Sequence, residues 1–334
     1  MKNINQKENI FIFVADSLRY DYTPESIKSE GTLLRGLAPS LHTPVSFPSL
    51  IISKDPRNHS VRGFEDEMSP ALDTLFDYFE NGSFYDNEID PIRNQVLKNT
   101  PRPKELKEIE PPFAYVERAM DTHIPYGDMG HGNELQTHRD EKSETSVEKS
   151  RDLKNDYKKG VNSVENHFWS HVETLEERGL REDTLIIFTS DHGEMLGERV
   201  NGKRRYAHVH PMARELIEVP IVFLDAEIDK KQMRLIDVSE TCLQITKNQS
   251  LQSDGKDIRE ESVKEGTTVV NGYVSYENKW KFAEGRWEPD SYLKLKKDIL
   301  REDLRILANK KIGIELFGRP GKPRNSSDIE NIDL

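Results

Sequence analysis

The sequence predicts an α/β fold in which helices cover both faces of a central, mostly parallel sheet. Three observations predict it. Four short apolar runs, Ile10–Ala15, Phe113–Val116, Thr184–Thr189 and Val219–Leu224, are rich in Ile, Val and Phe without polar alternation, as in strands buried on both faces. An amphipathic helical stripe lies between the second and third runs, which is the strand–helix–strand order of a parallel crossover. The first three runs are each followed by a chemically capable cluster: Asp16-Ser17, Asp121-Thr122-His123 and Asp191-His192. Open α/β sheets gather their ligand sites at the carboxyl ends of strands.

The elements follow in chain order. After the first run, a Pro-rich segment, Thr43-Pro44-Val45-Ser46-Phe47-Pro48-Ser49, leads into a helix expected from Pro48 to Ser53, because Pro suits the first helical turn. Ser46 is expected to cap it. A second helix is expected over Ala71–Glu80, stopped by Asn81-Gly82. The stretch from Asp86 to Pro112 is rich in Pro and charge and reads as irregular. The crossover helix carries Leu153, Tyr157, Val161, Val164, Phe168, Val172 and Leu175 on one stripe and stops at Gly179. The polar stretch from Gly127 to Ser150 is expected to be a lid beside the Asp121 cluster. A further helix is expected over about Lys230–Ile245, and Cys242 within it reads as a small buried side chain. Val269–Phe282, with Trp280 and Trp287 nearby, reads as a small antiparallel C-terminal hairpin. The boundaries expected are a main domain at 1–255, a small C-terminal sub-domain at 256–317 and a polar tail at 318–334.

Composition bounds the partners. The chain has 334 residues, 48 basic against 60 acidic, for a net charge of −12. That balance argues against nucleic acid, since phosphate backbones attract basic surfaces. An anionic substrate then needs a local positive site, and a bound metal ion supplies one. The single cysteine excludes an intramolecular disulfide. The N-terminal apolar run is too short for a signal peptide, and no stretch approaches the ~20 apolar residues of a membrane span. A cytoplasmic location is the expectation.

The candidate site rests on residue chemistry. Asp16 stands at the end of a buried strand, where a carboxylate is exposed only at the sheet edge and can ligate a hard cation; capping of the next turn is the alternative. Asp191 and His192, side by side at another strand end, can both reach one ion where the chain turns, and Gly193 allows a tight turn there.

Thr184–Glu194 followed by Leu196-Gly197-Glu198 resembles the segment of the sulfatase family, in the alkaline phosphatase superfamily, that carries metal ligands. The strand into Asp16 with Leu18-Arg19-Tyr20-Asp21 resembles the family's first metal strand. Ser49–Ser53 and Asp55–Val61 resemble the helix and turn after the nucleophile, and Asp121–Tyr126 the substrate-side histidine motif. Leu216–Phe223 and Ile236–Leu243 resemble the later strand and helix, so ordered matches span about Ile10 to Gly255. The resemblance implies an alkaline-phosphatase-like fold with 1–255 as the catalytic domain. It implies Asp16, Thr43, Asp191 and His192 as metal ligands, with Thr43 also the nucleophile. It places His123, with His208 or His210, around the anionic group as substrate contacts and as the acid for the leaving alcohol. Arg19 is a further implied substrate contact.

Two positions depart from the family pattern. Where sulfatases make formylglycine from Cys or Ser in Cys/Ser-x-Pro-x-Arg, this chain has Thr43, Val45 and Phe47. Threonine cannot become formylglycine, but it is the nucleophile of related phosphoryl-transferring members. Ser17 stands where many sulfatases place a second metal-binding Asp. One carboxylate fewer beside a histidine makes Zn²⁺ or Mn²⁺ as suitable as Ca²⁺ or Mg²⁺. The expected protein is therefore an enzyme using one or two divalent ions to hydrolyse or transfer a phosphate, phosphonate or sulfate ester of a small molecule or glycan. Its rivals are a true sulfatase without formylglycine and a catalytically silent protein that binds an anionic glycan.

Overall fold

The computed structural model describes residues 7–292, apart from 87–91, 125, 127–146, 201–202, 209–211, 225, 227, 252, 261–266 and 272–273. The expected tail, most of the expected lid and His210 lie outside the described residues. In chain order the strands are β1 Asn9–Ala15, β2 Gly31–Leu37, β3 Asn81–Asp86, β4 Phe113–Ala119, β5 Thr184–Thr189, β6 Met195–Val200, β7 Lys203–Ala207, β8 Glu218–Leu224, β9 Gln232–Arg234, β10 Thr267–Asn271, β11 Val274–Ala283 and β12 Arg286–Tyr292. The helices are α1 Glu25–Ser29, α2 Thr43–Ile52, α3 Pro56–His59, α4 Val147–Glu177, α5 Arg214–Ile217 and α6 Val238–Lys247.

Seven strands form the main sheet in the order β3-β4-β1-β5-β8-β2-β9. All its pairings are parallel except the two made by β8. This is the mostly parallel central sheet flanked by helices that the sequence predicts. The four apolar runs are β1, β4, β5 and β8, every residue of them buried. Alternate residues face opposite ways: Ile10, Ile12 and Val14 join the core under α2 and α6, whereas Phe11 and Phe13 join the core under α4. The α4 stripe is as the spacing predicts, with Tyr157, Val164, Phe168 and Leu175 fully buried, and Gly179 takes φ +67 at its end. The crossover places β4 and β5 on either side of β1, all three parallel, so their carboxyl ends lie together.

Two expectations are corrected. Ala71–Glu80 is not a helix: only Leu75–Tyr78 forms a single 3₁₀ turn, closed by a capping box between Thr74 and Asp77, before the chain enters β3. The helix expected from Lys230 begins at Val238, because Gln232–Arg234 pairs with β2 as the edge strand β9. The expected C-terminal hairpin is present as β10 and β11, and β12 extends it to a three-stranded antiparallel sheet. Trp280 and Trp287 pack on Leu37, Leu41, Met195 and Ile217, and the Trp287 indole N–H donates to the Arg35 carbonyl at 3.1 Å. No helix among the described residues is long and apolar enough to cross a membrane.

Candidate metal and nucleophile centre

β1 and β5 are parallel neighbours, so their carboxyl ends coincide. Immediately beyond β1 the chain reverses through Ser17, which takes the left-handed φ of 65°. Its N–H donates to Asp191 Oδ1 at 3.1 Å, and its hydroxyl donates to Asp16 Oδ1 at 2.8 Å. The Leu18 N–H donates to Ser190 Oγ at 2.9 Å. These bonds tie the turn after β1 to the turn after β5. Asp16, Asp191 and His192 are fully buried, and one ligand atom from each lies within 4.8 Å of the others.

Thr43 completes the group. The helix starts five residues earlier than Pro48: His42 is the N-cap, Thr43 opens the first turn, and Pro44 follows. Ser46 is therefore inside the helix and is no cap; its hydroxyl donates to the Ser40 carbonyl at 3.3 Å. Thr43 Oγ1 lies 3.4 Å from Asp16 Oδ2, to which it donates, and 3.2 Å from His192 Nε2. Residues far apart in sequence are thus brought to one point, at the positive end of a ten-residue helix.

Arg118, at the end of β4, has no counterpart in the sequence reading. Its Nε and Nη2 donate to Asp16 Oδ2 at 2.8 and 2.6 Å, and its Nη1 lies 3.7 Å from Asp86. Burial opposes ionisation of Asp16, but the Arg118 charge, with His123 and His192, outweighs it and holds the carboxyl below its ordinary range. Asp191 is pushed up, by burial first and then by the neighbouring Asp16 charge. Burial lowers His192, but Asp191 and Asp16 outweigh it and raise the imidazole.

Two features suit this group to a cation. Asp191 Oδ2 is buried and has no hydrogen-bond partner among the described residues, a costly state for a carboxylate oxygen unless a cation or proton meets it. His192 Nδ1 lies 3.0 Å from the Gly193 carbonyl. A carbonyl only accepts, so Nδ1 carries the hydrogen, and once a cation displaces the proton on Nε2 its lone pair would point toward Thr43 and Asp191 Oδ2, 3.4 Å away. Gly193 is required for close approach: a Cβ there would stand 2.0 Å from the Glu215 carbonyl oxygen.

Four side chains, His123, His208, Glu194 and Arg19, surround the centre. The His208 ring lies 4.4 Å from His192 and 5.6 Å from His123, centroid to centroid. Glu194, fully buried and 3.4 Å from His208 Nδ1, is pushed up to about 7 by burial, against the pull of His123 and His192. It follows the Asp191-His192-Gly193 turn directly and closes the segment Thr184–Glu194 that carries the family resemblance. The Arg19 guanidinium is committed to Asp21 at 2.7 Å and Glu198 at 2.8 Å, so its charge is already neutralised where a substrate contact was expected.

A sulfatase family model matches residues 105–246. The chain is 34% identical over 280 residues to the low-salt glycan biosynthesis sulfotransferase Agl7 of Haloferax volcanii, a match covering 78% of this chain and 66% of that protein. Among solved structures it resembles a putative sulfatase from Bacteroides thetaiotaomicron, with TM-score 0.61, 14% identity, and 90% and 91% of the two chains covered. The phosphonate monoester hydrolase of Silicibacter pomeroyi superposes with TM-score 0.58 at 12% identity, covering 78% and 79%.

Proposed function

The chain belongs to the sulfatase family, and we propose that it is a metal-dependent enzyme that transfers or hydrolyses a sulfate- or phosphate-type ester through Thr43. The observation that carries this is the place of Thr43 Oγ1, 3.2 Å from His192 Nε2 and 3.4 Å from Asp16 Oδ2. Asp16, Asp191, His192 and the Thr43 hydroxyl would hold one divalent ion, with Zn²⁺ or Mn²⁺ suited to the mixed N/O donors. Such an ion supplies positive charge against the non-bridging oxygens of the ester.

The chain's own groups do the rest. Thr43 Oγ1 attacks the sulfur or phosphorus, and its proton has two acceptors within reach, Asp16 Oδ2 and His192 Nε2. The ester's alcohol oxygen leaves with the bonding electrons and takes a proton from the His123–His208 side. The covalent Thr43 ester is then resolved by water or by an acceptor hydroxyl. Transfer to a glycan hydroxyl is favoured by the relative named a glycan sulfotransferase. Arg118 fixes the orientation of Asp16, with residues 1–255 as the catalytic domain, on which the described sheet β10-β11-β12 packs through Trp280 and Trp287.

Chelator-treated protein should lose turnover of chromogenic sulfate, phosphate and phosphonate esters and regain it with one of Zn²⁺, Mn²⁺, Mg²⁺ or Ca²⁺. At free metal about 100-fold above its dissociation constant, the fold should gain roughly 2.7 kcal/mol. A melt and a turnover both indifferent to chelator and added metal would overturn metal dependence.

A further inference from the structure

We propose that Glu117, His167 and His171 form a second divalent-metal site, of the zinc class, on the opposite face of the sheet from Thr43. It rests on none of the catalytic assignments. His167 and His171 are one helical turn apart on α4, so their rings stand on the same side of the helix. Glu117 rises from β4 beneath them and is buried, with 1% of its side chain exposed. His167 Nε2 lies 2.9 Å from Glu117 Oε1, and His171 Nε2 lies 2.8 Å from Glu117 Oε2. Two imidazole nitrogens and a carboxylate thus converge with ligand atoms within 4.8 Å of one another.

The directions of these contacts point to an ion. His171 Nε2 is buried and, at 2.8 Å from a carboxylate oxygen, still makes no hydrogen bond among the described residues. In a metal site, neighbouring ligand atoms sit about 3 Å apart with their lone pairs aimed at the ion and not at each other. His167 also has an outer partner: its Nδ1 lies 3.7 Å from Asp121 Oδ2, and Asp121 accepts from Ser163 Oγ at 2.5 Å. A carboxylate behind a ligating imidazole holds its hydrogen on the far nitrogen and frees the near one to ligate. The Tyr115 hydroxyl donates to Glu117 Oε2 at 3.1 Å, which fixes the carboxylate in turn. Phe11 and Phe13 pack edge-on against His171 and His167, with centroids 5.7 and 5.3 Å away, giving the donors a dry wall. The His167 and His171 side chains keep 37% and 18% exposure, enough for entry and for water at the remaining coordination position.

Two nitrogens and one carboxylate are the donor set zinc takes in proteins. The ion would clamp α4 to β4 and, through Asp121, hold the turn that carries His123.

The test is zinc stoichiometry on the full chain, stripped with chelator and titrated with Zn²⁺ alone. Glu117→Gln and His171→Gln should each bind one equivalent fewer than wild type, while Asp191→Asn, on the other face, should retain that equivalent. Asp121→Asn should weaken it by about 10–100-fold. Wild-type crystals soaked in Zn²⁺ should show an anomalous peak between the three side chains, a measurement that needs no variant to fold. Zinc stoichiometry unchanged in a folded His171→Gln protein, or no peak at that point in wild type, would overturn the proposal. Because the readouts fall on different residues, failure here and failure of the Thr43 centre are told apart.

Discussion

Two clusters of ionisable side chains lie on opposite faces of one sheet, and they are assembled by different means. Asp16, Asp191 and His192 stand in turns just beyond β1 and β5, joined by Thr43 at the first position of α2. Glu117, His167 and His171 project from the bodies of a strand and a helix. The first cluster is held by bonds between turns, through Ser17, Ser190 and Gly193. The second is held by the pitch of α4 and by the aromatic packing of Phe11, Phe13 and Phe168 around it. Turns free a side chain from helical or strand periodicity, so several can meet at one atom; regular elements give fewer groups on a stiffer base.

The largest expected effect separates the two regions most cleanly. Thr43→Ala should lower turnover by about 10³-fold or more with an unchanged circular dichroism spectrum, and Thr43→Ser should keep part of the activity. Full activity in Thr43→Ala would remove chemistry from the turn-built centre. The mirror experiment is Phe168→Ala in the α4 face. It should cost about 3–5 kcal/mol of stability by denaturant titration, with kcat per folded molecule unchanged. A fall in kcat there would show that helix packing and centre geometry are not separable.

Gly193→Ala lies between these cases. Its Cβ would meet the Glu215 carbonyl, so the turn must shift. A stability loss of about 1–3 kcal/mol should accompany a drop in turnover, because the displaced backbone carries His192. A variant that loses stability alone would show that His192 tolerates movement of its turn.

The smallest effect concerns His59, which supports α2 from behind. Its Nδ1 accepts from the Val61 N–H at 3.1 Å, and its Nε2 lies 2.9 Å from Ser49 Oγ. Burial lowers the imidazole from 6.5 to about 4, against the pull of Asp55. The folded state therefore binds fewer protons than the unfolded one. The stability is complete above pH 6.5 and is lost as pH falls toward 4, on the order of 2–3 kcal/mol. Thermal melts across that window should show the loss in wild type and a flatter profile in His59→Asn. Identical profiles would assign the acid sensitivity elsewhere.

Legibility in the sequence followed the same division. β1, β4, β5 and β8 were readable because burial on both faces leaves unbroken apolar runs. β2 and β3 were not, because Gly31–Leu37 and Asn81–Asp86 mix buried and half-buried positions. The Leu72, Leu75, Phe76 and Phe79 spacing mimics a helix, yet those residues pack on the core from one 3₁₀ turn and its flanks. Of the candidate centre, strand-end position and family resemblance pointed to Asp16, Thr43, Asp191 and His192 together. Arg118 was hidden because its partner is 102 residues away and its own strand gives no hint of charge pairing. His167 and His171, one turn apart on α4, were not singled out, and nothing in the sequence places Glu117 beneath them.

Glu117 and Arg118 are consecutive residues of β4, one facing α4 and the other facing Asp16. Side chains alternate along a strand, so a single-residue deletion or insertion that slipped β4 against β1 would exchange the two faces. The guanidinium would be carried away from Asp16 and the carboxylate driven into the opposite core. Length variation within Phe113–Glu117 should therefore be far more damaging than any one apolar exchange there, and homologous chains should align through this strand without gaps.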